Sequence, residues 1–192
     1  MKKRKKRRFP LVPLAMLALL AVLFVIVYPR MAARSQYPVR YEAEIRKAAE
    51  VYSLDPALLA AVARIESSYR ADARSYVGAL GLMQIMPETG AWIAGKFDES
   101  YVDGCLFDPE TNIRYGCWYL GYLLRRYDGD KRCSTAAYHS GQGTVDGWLK
   151  DPEYSTDGRT LNIIGGPRAN TYVGRVLEYY EKYTQLYANL EA

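Results

Sequence analysis

The sequence predicts an all-α domain set behind a single N-terminal membrane-spanning helix. Three observations carry that prediction. A charge-free apolar run of twenty residues follows a basic start, apolar residues recur at helical spacing through most of the remainder, and strand-like alternation is scarce.

The elements follow in order. Residues 2–8 (KKRKKRR) are all basic, and Phe9 to Tyr28 carries no charge. As a helix the apolar run covers about 30 Å, the thickness of a bilayer's hydrocarbon core. Pro10 and Pro13 fall in its first turn, where a missing N–H does least harm. A cleaved signal has a shorter apolar core followed by a small-x-small site. Here Pro29-Arg30-Met31-Ala32-Ala33-Arg34 follows, so an uncleaved signal-anchor is favoured. The larger basic cluster belongs in the cytoplasm, which sends the rest of the chain outward. The organisation expected is a basic cytoplasmic region at 1–8, a transmembrane anchor at 9–28, a connector at 29–40 and one folded domain at 41–192. Twelve extended connector residues reach about 40 Å.

Beyond residue 40, Ile45, Ala48, Ala49 and Tyr52 mark a first amphipathic helix. Asp55-Pro56 is a start signal, a capping side chain followed by Pro in the first turn. The helix it opens carries Leu58, Leu59, Val62 and Ile65 and ends near Tyr69. Asp108-Pro109 repeats the signal before Ile113, Trp118, Leu120, Leu123 and Leu124, and Gly129 stops that helix. A final helix carries Tyr172, Val173, Val176, Leu177, Tyr180 and Tyr187. Segments 70–86 and 150–167 are rich in Gly, Ser, Asp and Pro and read as loops, with room for one short hairpin in 70–86. Six or so short helices around one core are expected.

Charge excludes one class of partner. Residues 1–40 hold 10 Lys/Arg and no acid, while residues 41–192 carry 16 Lys/Arg against 21 Asp/Glu, a net of −5. The overall +5 is therefore a topology signal, and an acidic folded domain argues against DNA or RNA. Cys105, Cys117 and Cys133 fit an oxidising exterior in which one pair could close. Three Cys and one His have no zinc-site spacing, and no metal, nucleotide or redox cofactor is implied.

Glu66 stands out because its position is awkward. By helical spacing it shares the apolar stripe of Leu58, Leu59, Val62 and Ala63, and it sits in a last turn where the helix dipole is negative. Both effects disfavour the anion and raise the pKa, which suits a general acid. The alternatives are a structural glutamate with a satisfying hydrogen bond, or one facing solvent.

Four blocks in order turn this into a resemblance. Glu66-Ser67, Ser75, Gly78-Ala79 and Gly81-Leu82-Met83-Gln84-Ile85-Met86-Pro87 come first; Asp108-Pro109-Glu110-Thr111-Asn112-Ile113 comes second. Ala136-Ala137-Tyr138-His139-Ser140-Gly141 is third, and Tyr172-Val173 with Val176 and Tyr179 is fourth. Together they resemble the soluble-lytic-transglycosylase family over about residues 41–187. The resemblance implies a lysozyme-like fold acting on peptidoglycan glycan strands, with Glu66 as the sole catalytic acid/base. It implies that Ser75, Gln84, Met86 and Tyr138 line the sugar subsites, with Ser67 and His139 as further substrate-binding candidates. Tyr172 is expected within hydrogen-bonding reach of the carboxylate.

One carboxylate suffices for a transglycosylase. Glycoside hydrolysis usually needs two, and the nearest second acid, Asp72, reads as a solvated loop residue. Two positions depart from the family pattern. His139 stands where Asn is usual, and Arg168-Ala169-Asn170 stands where Glu-Thr-Arg is usual. A base at 168 would either favour ionised Glu66 or bind a substrate carboxylate. The rival readings are a hydrolase of the same fold and a non-catalytic wall-binding or assembly protein. Protein partners, endo- versus exo-cleavage and stem-peptide preference stay open.

Overall fold

The computed structural model describes residues 11–187. The basic run 2–8, together with Phe9 and Pro10, lies outside the described residues. The chain divides into two compact units between Pro38 and Val39.

The first unit is one helix, α1 (Leu11–Gln36). From Met16 on its large apolar side chains are exposed, and Met16–Gln36 is long and apolar enough to cross a membrane. The connector expected at 29–40 is helical through Gln36, leaving only residues 37–40 outside the helix. Pro29 offers no N–H to the preceding turn. Arg30 to Gln36 nevertheless consists mostly of good helix formers, which carries the helix past it.

Among the described residues, the regular elements of the second unit are helices joined by loops. Its order is α2 (Glu42–Tyr52), α3 (Pro56–Ser67), α4 (Pro87–Lys96), a 3-10 turn at Cys105–Phe107, α5 (Pro109–Arg126), α6 (Lys131–Ser140), α7 (Gln142–Lys150) and α8 (Pro167–Leu186). The Asp-Pro signals act as expected. Asp55 accepts from the Ala57 N–H at 2.9 Å and Asp108 from the Thr111 N–H at 2.8 Å, each followed by Pro in the first turn. Pro56 to Ala63 are all buried, so α3 is the central helix, and α8 packs along it. Ser68 and Tyr69 both take left-handed backbone angles and end α3 abruptly. Tyr69 turns inward, its hydroxyl donating to the Ala60 carbonyl (3.0 Å) and in hydrogen-bonding contact with the Tyr183 hydroxyl (3.2 Å), which fastens this end of α3 to α8.

Three helices carry no separate signal in the sequence. α4 contains two glycines and buries few side chains, which blurs its apolar stripe. α6 is short and polar, and its cap, Asp130, also looks like the stop of α5; its side chain accepts from the Cys133 N–H at 2.6 Å. α7 buries only Val145. The hairpin allowed for in 70–86 reduces to two isolated antiparallel bridges, Arg74 to Leu80 and Leu80 to Ile85, with no strand among the described residues. The three cysteines are free thiols. The Cys117 thiol donates to the Ala48 carbonyl and the Cys133 thiol to the Arg159 carbonyl, so neither is paired with sulfur. Burial pushes both thiols up to about 12.

The loop from Leu80 to Gln84 is held by three helices at once. From α3, the Ser67 hydroxyl donates to the Leu82 carbonyl at 2.7 Å. From α5, Asn112, fully buried, accepts from the Met83 N–H at 2.7 Å and donates to the Leu80 (3.0 Å) and Leu106 (2.8 Å) carbonyls. From α6, the Tyr138 hydroxyl donates to the Met83 carbonyl at 2.9 Å. Gly81 has φ +75°, and a Cβ there would overlap the Leu106 carbonyl and the Asn112 amide.

Asn112→Ala strands the Met83 N–H and two carbonyls in the interior. Buried unpaired groups at roughly 1–3 kcal/mol each predict a loss of about 3 kcal/mol after relaxation. For a domain of this size that lowers Tm by roughly 10 °C. Thermal denaturation followed by circular dichroism measures it; an unchanged Tm contradicts the assignment.

Candidate active site

Glu66 lies in the last turn of α3, next to the buried Ser67. One edge of Glu66 is solvent-accessible, but the surrounding protein removes most of its hydration. Burial raises the carboxyl from 4.5 to about 7, and the hydrogen bond from Tyr172 opposes that rise. Tyr172, near the start of α8, donates its hydroxyl to Glu66 Oε1 at 2.6 Å. The bond joins residues 106 positions apart, so it exists only once α3 and α8 have packed.

Tyr138, near the end of α6, completes the group. Burial first, and then the nearby Glu66 charge, push its hydroxyl well above the ordinary phenol value. The same two influences act on Tyr172, joined by its bond to Glu66. The His139 imidazole lies flat on the Tyr172 ring, with centroids 4.3 Å apart and planes within 18°. Its residue surface is exposed, and partial burial of the ring lowers its pKa. Glu66, Tyr138, His139 and Tyr172 thus come together from three helices. Because Tyr138 and His139 are consecutive, α6 presents one ring to the loop at Met83 and the next to α8.

The other expected site residues lie outside this group of four. The buried Ser67 hydroxyl donates to the Leu82 carbonyl and accepts from the Arg70 N–H at 3.0 Å. Ser75 accepts from the Ala79 N–H at 2.9 Å within its own half-buried turn. Gln84 adopts φ 48° and folds its amide back to the Gly81 (2.8 Å) and Ala73 (3.3 Å) carbonyls, which leaves its own oxygen as the remaining polar atom. Met86 is half-buried at the N-cap of α4, whereas Met83 is core. Asp72 is exposed, as a solvated loop acid should be. Arg168 is exposed in the first turn of α8.

Asn112 is the residue whose role the motif did not convey. It stands four positions after the Asp108 cap, and an amide is the one neutral side chain able to accept one bond and donate two there.

A model of the transglycosylase SLT domain family matches residues 43–160. The soluble lytic murein transglycosylase of Escherichia coli (strain K12) is 33% identical over 147 residues, covering 75% of this chain and 23% of that protein. The membrane-bound lytic murein transglycosylase C of Edwardsiella ictaluri is 37% identical over 142 residues, covering 65% of this chain and 36% of the relative. This chain therefore spans about a quarter to a third of those relatives. Among solved structures, the 70 kDa soluble lytic transglycosylase of Escherichia coli superimposes with a TM-score of 0.71 at 30% identity, covering 80% of this chain and 25% of that one. An inactive mutant of the Pseudomonas aeruginosa lytic transglycosylase gives 0.70 at 31%, with the same coverage.

Two outcomes follow from the electrostatics. The folded state keeps the Glu66 proton where the unfolded chain has released it. The Glu66 contribution to stability is therefore most favourable below pH 4.5 and is lost as the pH rises towards 7. Glu66→Gln keeps an acceptor for Tyr172 and removes this penalty, so it should raise stability by up to about 3 kcal/mol above pH 7 and by nothing below pH 4.5. Denaturant titrations across pH test it; a variant destabilised at pH 8 contradicts it. Tyr172→Phe removes the one influence holding the carboxyl down, so Glu66 should titrate higher than in the parent, read from its side-chain carboxyl 13C shift.

Proposed function

We propose that this chain, which belongs to the transglycosylase SLT domain family, is a peptidoglycan lytic transglycosylase held at the cytoplasmic membrane by α1. The observation that carries the reading is a carboxyl poised near pKa 7 and steered by a tyrosine hydroxyl. A carboxyl whose pKa lies near the working pH can serve first as acid and then as base.

The reaction proceeds as follows. Glu66 gives its proton to the oxygen joining N-acetylmuramic acid to N-acetylglucosamine, and the C1–O bond breaks. The substrate's own N-acetyl group stabilises the cation left at C1. Ionised Glu66, still accepting from Tyr172, removes the proton of the C6 hydroxyl. That oxygen closes on C1 and gives a 1,6-anhydro end without consuming water. Among the described residues, the groups acting on Glu66 include no second carboxylate, which supports a route with one acid. A wall-binding protein without catalysis would gain nothing from a carboxyl that lowers its own stability above pH 4.5.

Anchoring is supported by the exposed apolar helix at Met16–Gln36 and by relatives named as membrane-bound. With residues 2–8 retained in the cytoplasm, residues 41–192 face the wall.

Glu66→Gln should lower lysis of purified wall roughly 10³-fold, the scale of a lost general acid. Mass spectrometry of the parent's products should show ends lighter by one water than those of a hydrolase. Hydrated reducing ends would assign the chain to the hydrolases.

A further inference from the structure

One large surface feature takes no part in the chemistry at Glu66. It is a run of aromatic rings leading away from Tyr138 across α5 to α4. Tyr138 meets Tyr119 at 5.4 Å between centroids. The Tyr119 and Trp118 rings lie within 11° and 7° of parallel to Tyr122, at 6.3 and 5.8 Å. Trp92, from α4, stands nearly upright against all three, at 69–86° and 5.2–6.2 Å. Trp92 is 39% exposed, and Trp118, Tyr119 and Tyr122 are half-buried.

The rings form a corner, three nearly parallel and one perpendicular, and its rim is polar. Lys96 Nζ lies 5.6 Å from the centre of the Trp92 ring. The Tyr122 hydroxyl donates to the Gln142 side-chain oxygen at 2.9 Å, leaving that amide's N–H groups as donors. Flat apolar rings bordered by a few amide and ammonium donors suit a pyranose. The sugar's C–H face can lie on a ring while its hydroxyl and acetamido groups meet the rim.

We infer that the Trp92–Trp118–Tyr122 corner is a distal saccharide subsite, holding N-acetylated sugars of the glycan strand beyond those cut at Glu66. The inference rests on the proposed activity for its ligand class. Continuity with the site selects a glycan over a lipid surface, because a single ring contact, Tyr119 on Tyr138, separates the corner from the residue beside Glu66. The acidic charge of residues 41–192 also disfavours docking on an anionic bilayer. The function supplied is strand-length selectivity: a longer strand reaches both places and gains affinity, whereas a disaccharide fills one.

The test uses the full chain in detergent, carrying Glu66→Gln so that ligands survive, titrated calorimetrically with N-acetylglucosamine dimer and hexamer. Adding Trp92→Ala should weaken hexamer binding about tenfold, the equivalent of roughly 1.4 kcal/mol, and leave dimer binding unchanged. Trp92→Phe should recover most of the loss, and equal Tm values would show that the fold is intact. Hexamer binding unaffected by Trp92→Ala overturns the subsite. In proteoliposomes, tryptophan quenching by spin-labelled lipid that Trp92→Ala abolishes would assign the corner to the membrane and equally overturn it; all three Trp lie beyond residue 40, so α1 contributes no signal, and Trp148, outside the corner, remains in the variant. Wall lysis retained by Glu66→Gln alone would sink the catalytic reading while leaving the binding comparison valid.

Discussion

The five residues from Leu80 to Gln84 are bonded to three helices at once, and the site is assembled around that grip. Ser67 on α3, Asn112 on α5 and Tyr138 on α6 each place a polar side-chain atom on this short stretch of backbone. Each bond satisfies a backbone group that would otherwise be buried or half-buried without a partner. Ser67 is the residue after Glu66, so anchoring the loop to α3 also sets the end of the helix that carries the acid. Tyr138 precedes His139, so anchoring it to Met83 also fixes the imidazole that lies on Tyr172. Loop, acid and rings are therefore positioned by one network, and Gly81 permits the close approach that the network needs.

Within that frame Glu66 is the product of two opposed forces. Desolvation pushes its pKa up, and the Tyr172 bond pulls it back, leaving it near 7. A shift of this size holds free energy of order 3 kcal/mol against the folded state at neutral pH, a sizeable share of the stability of a small domain. Such a cost is sustained by the surrounding core. Pro56 to Ala63 are entirely buried, and Tyr69 ties α3 to Tyr183 of α8 close to the same end of the helix. The arrangement that strains the acid and the packing that tolerates the strain thus occupy the same two helices.

What could be read from the chain follows the range of the interactions. Helix starts at Asp55-Pro56 and Asp108-Pro109 are local, made between residues two or three apart, and they stand out in the sequence. The awkward placement of Glu66 is also local, since it needs only helical spacing. Asn112, Ser67 and Gln84 were opaque for a different reason. Each is a small polar residue whose partners lie on backbone that side-chain pattern does not describe. Ser67 and Gln84 carry groups capable of binding a sugar, yet the Ser67 hydroxyl and the Gln84 amide nitrogen are spent on carbonyls. The aromatic corner was hidden in the same way. Eighteen tyrosines scattered along the chain do not reveal which of them share a surface with Trp92.

His139 shows how a single departure can be absorbed. An imidazole lying flat on Tyr172 covers a ring face with a group of similar width, and partial burial favours its neutral form. Neutral is the useful state here. An imidazolium above Tyr172, whose hydroxyl is bonded to Glu66, would favour the carboxylate and weaken the acid. The remaining departure, Arg168, stands exposed in the first turn of α8. Burial and one tyrosine set the pKa of Glu66. Both survive the two substitutions that set this chain apart from its family pattern.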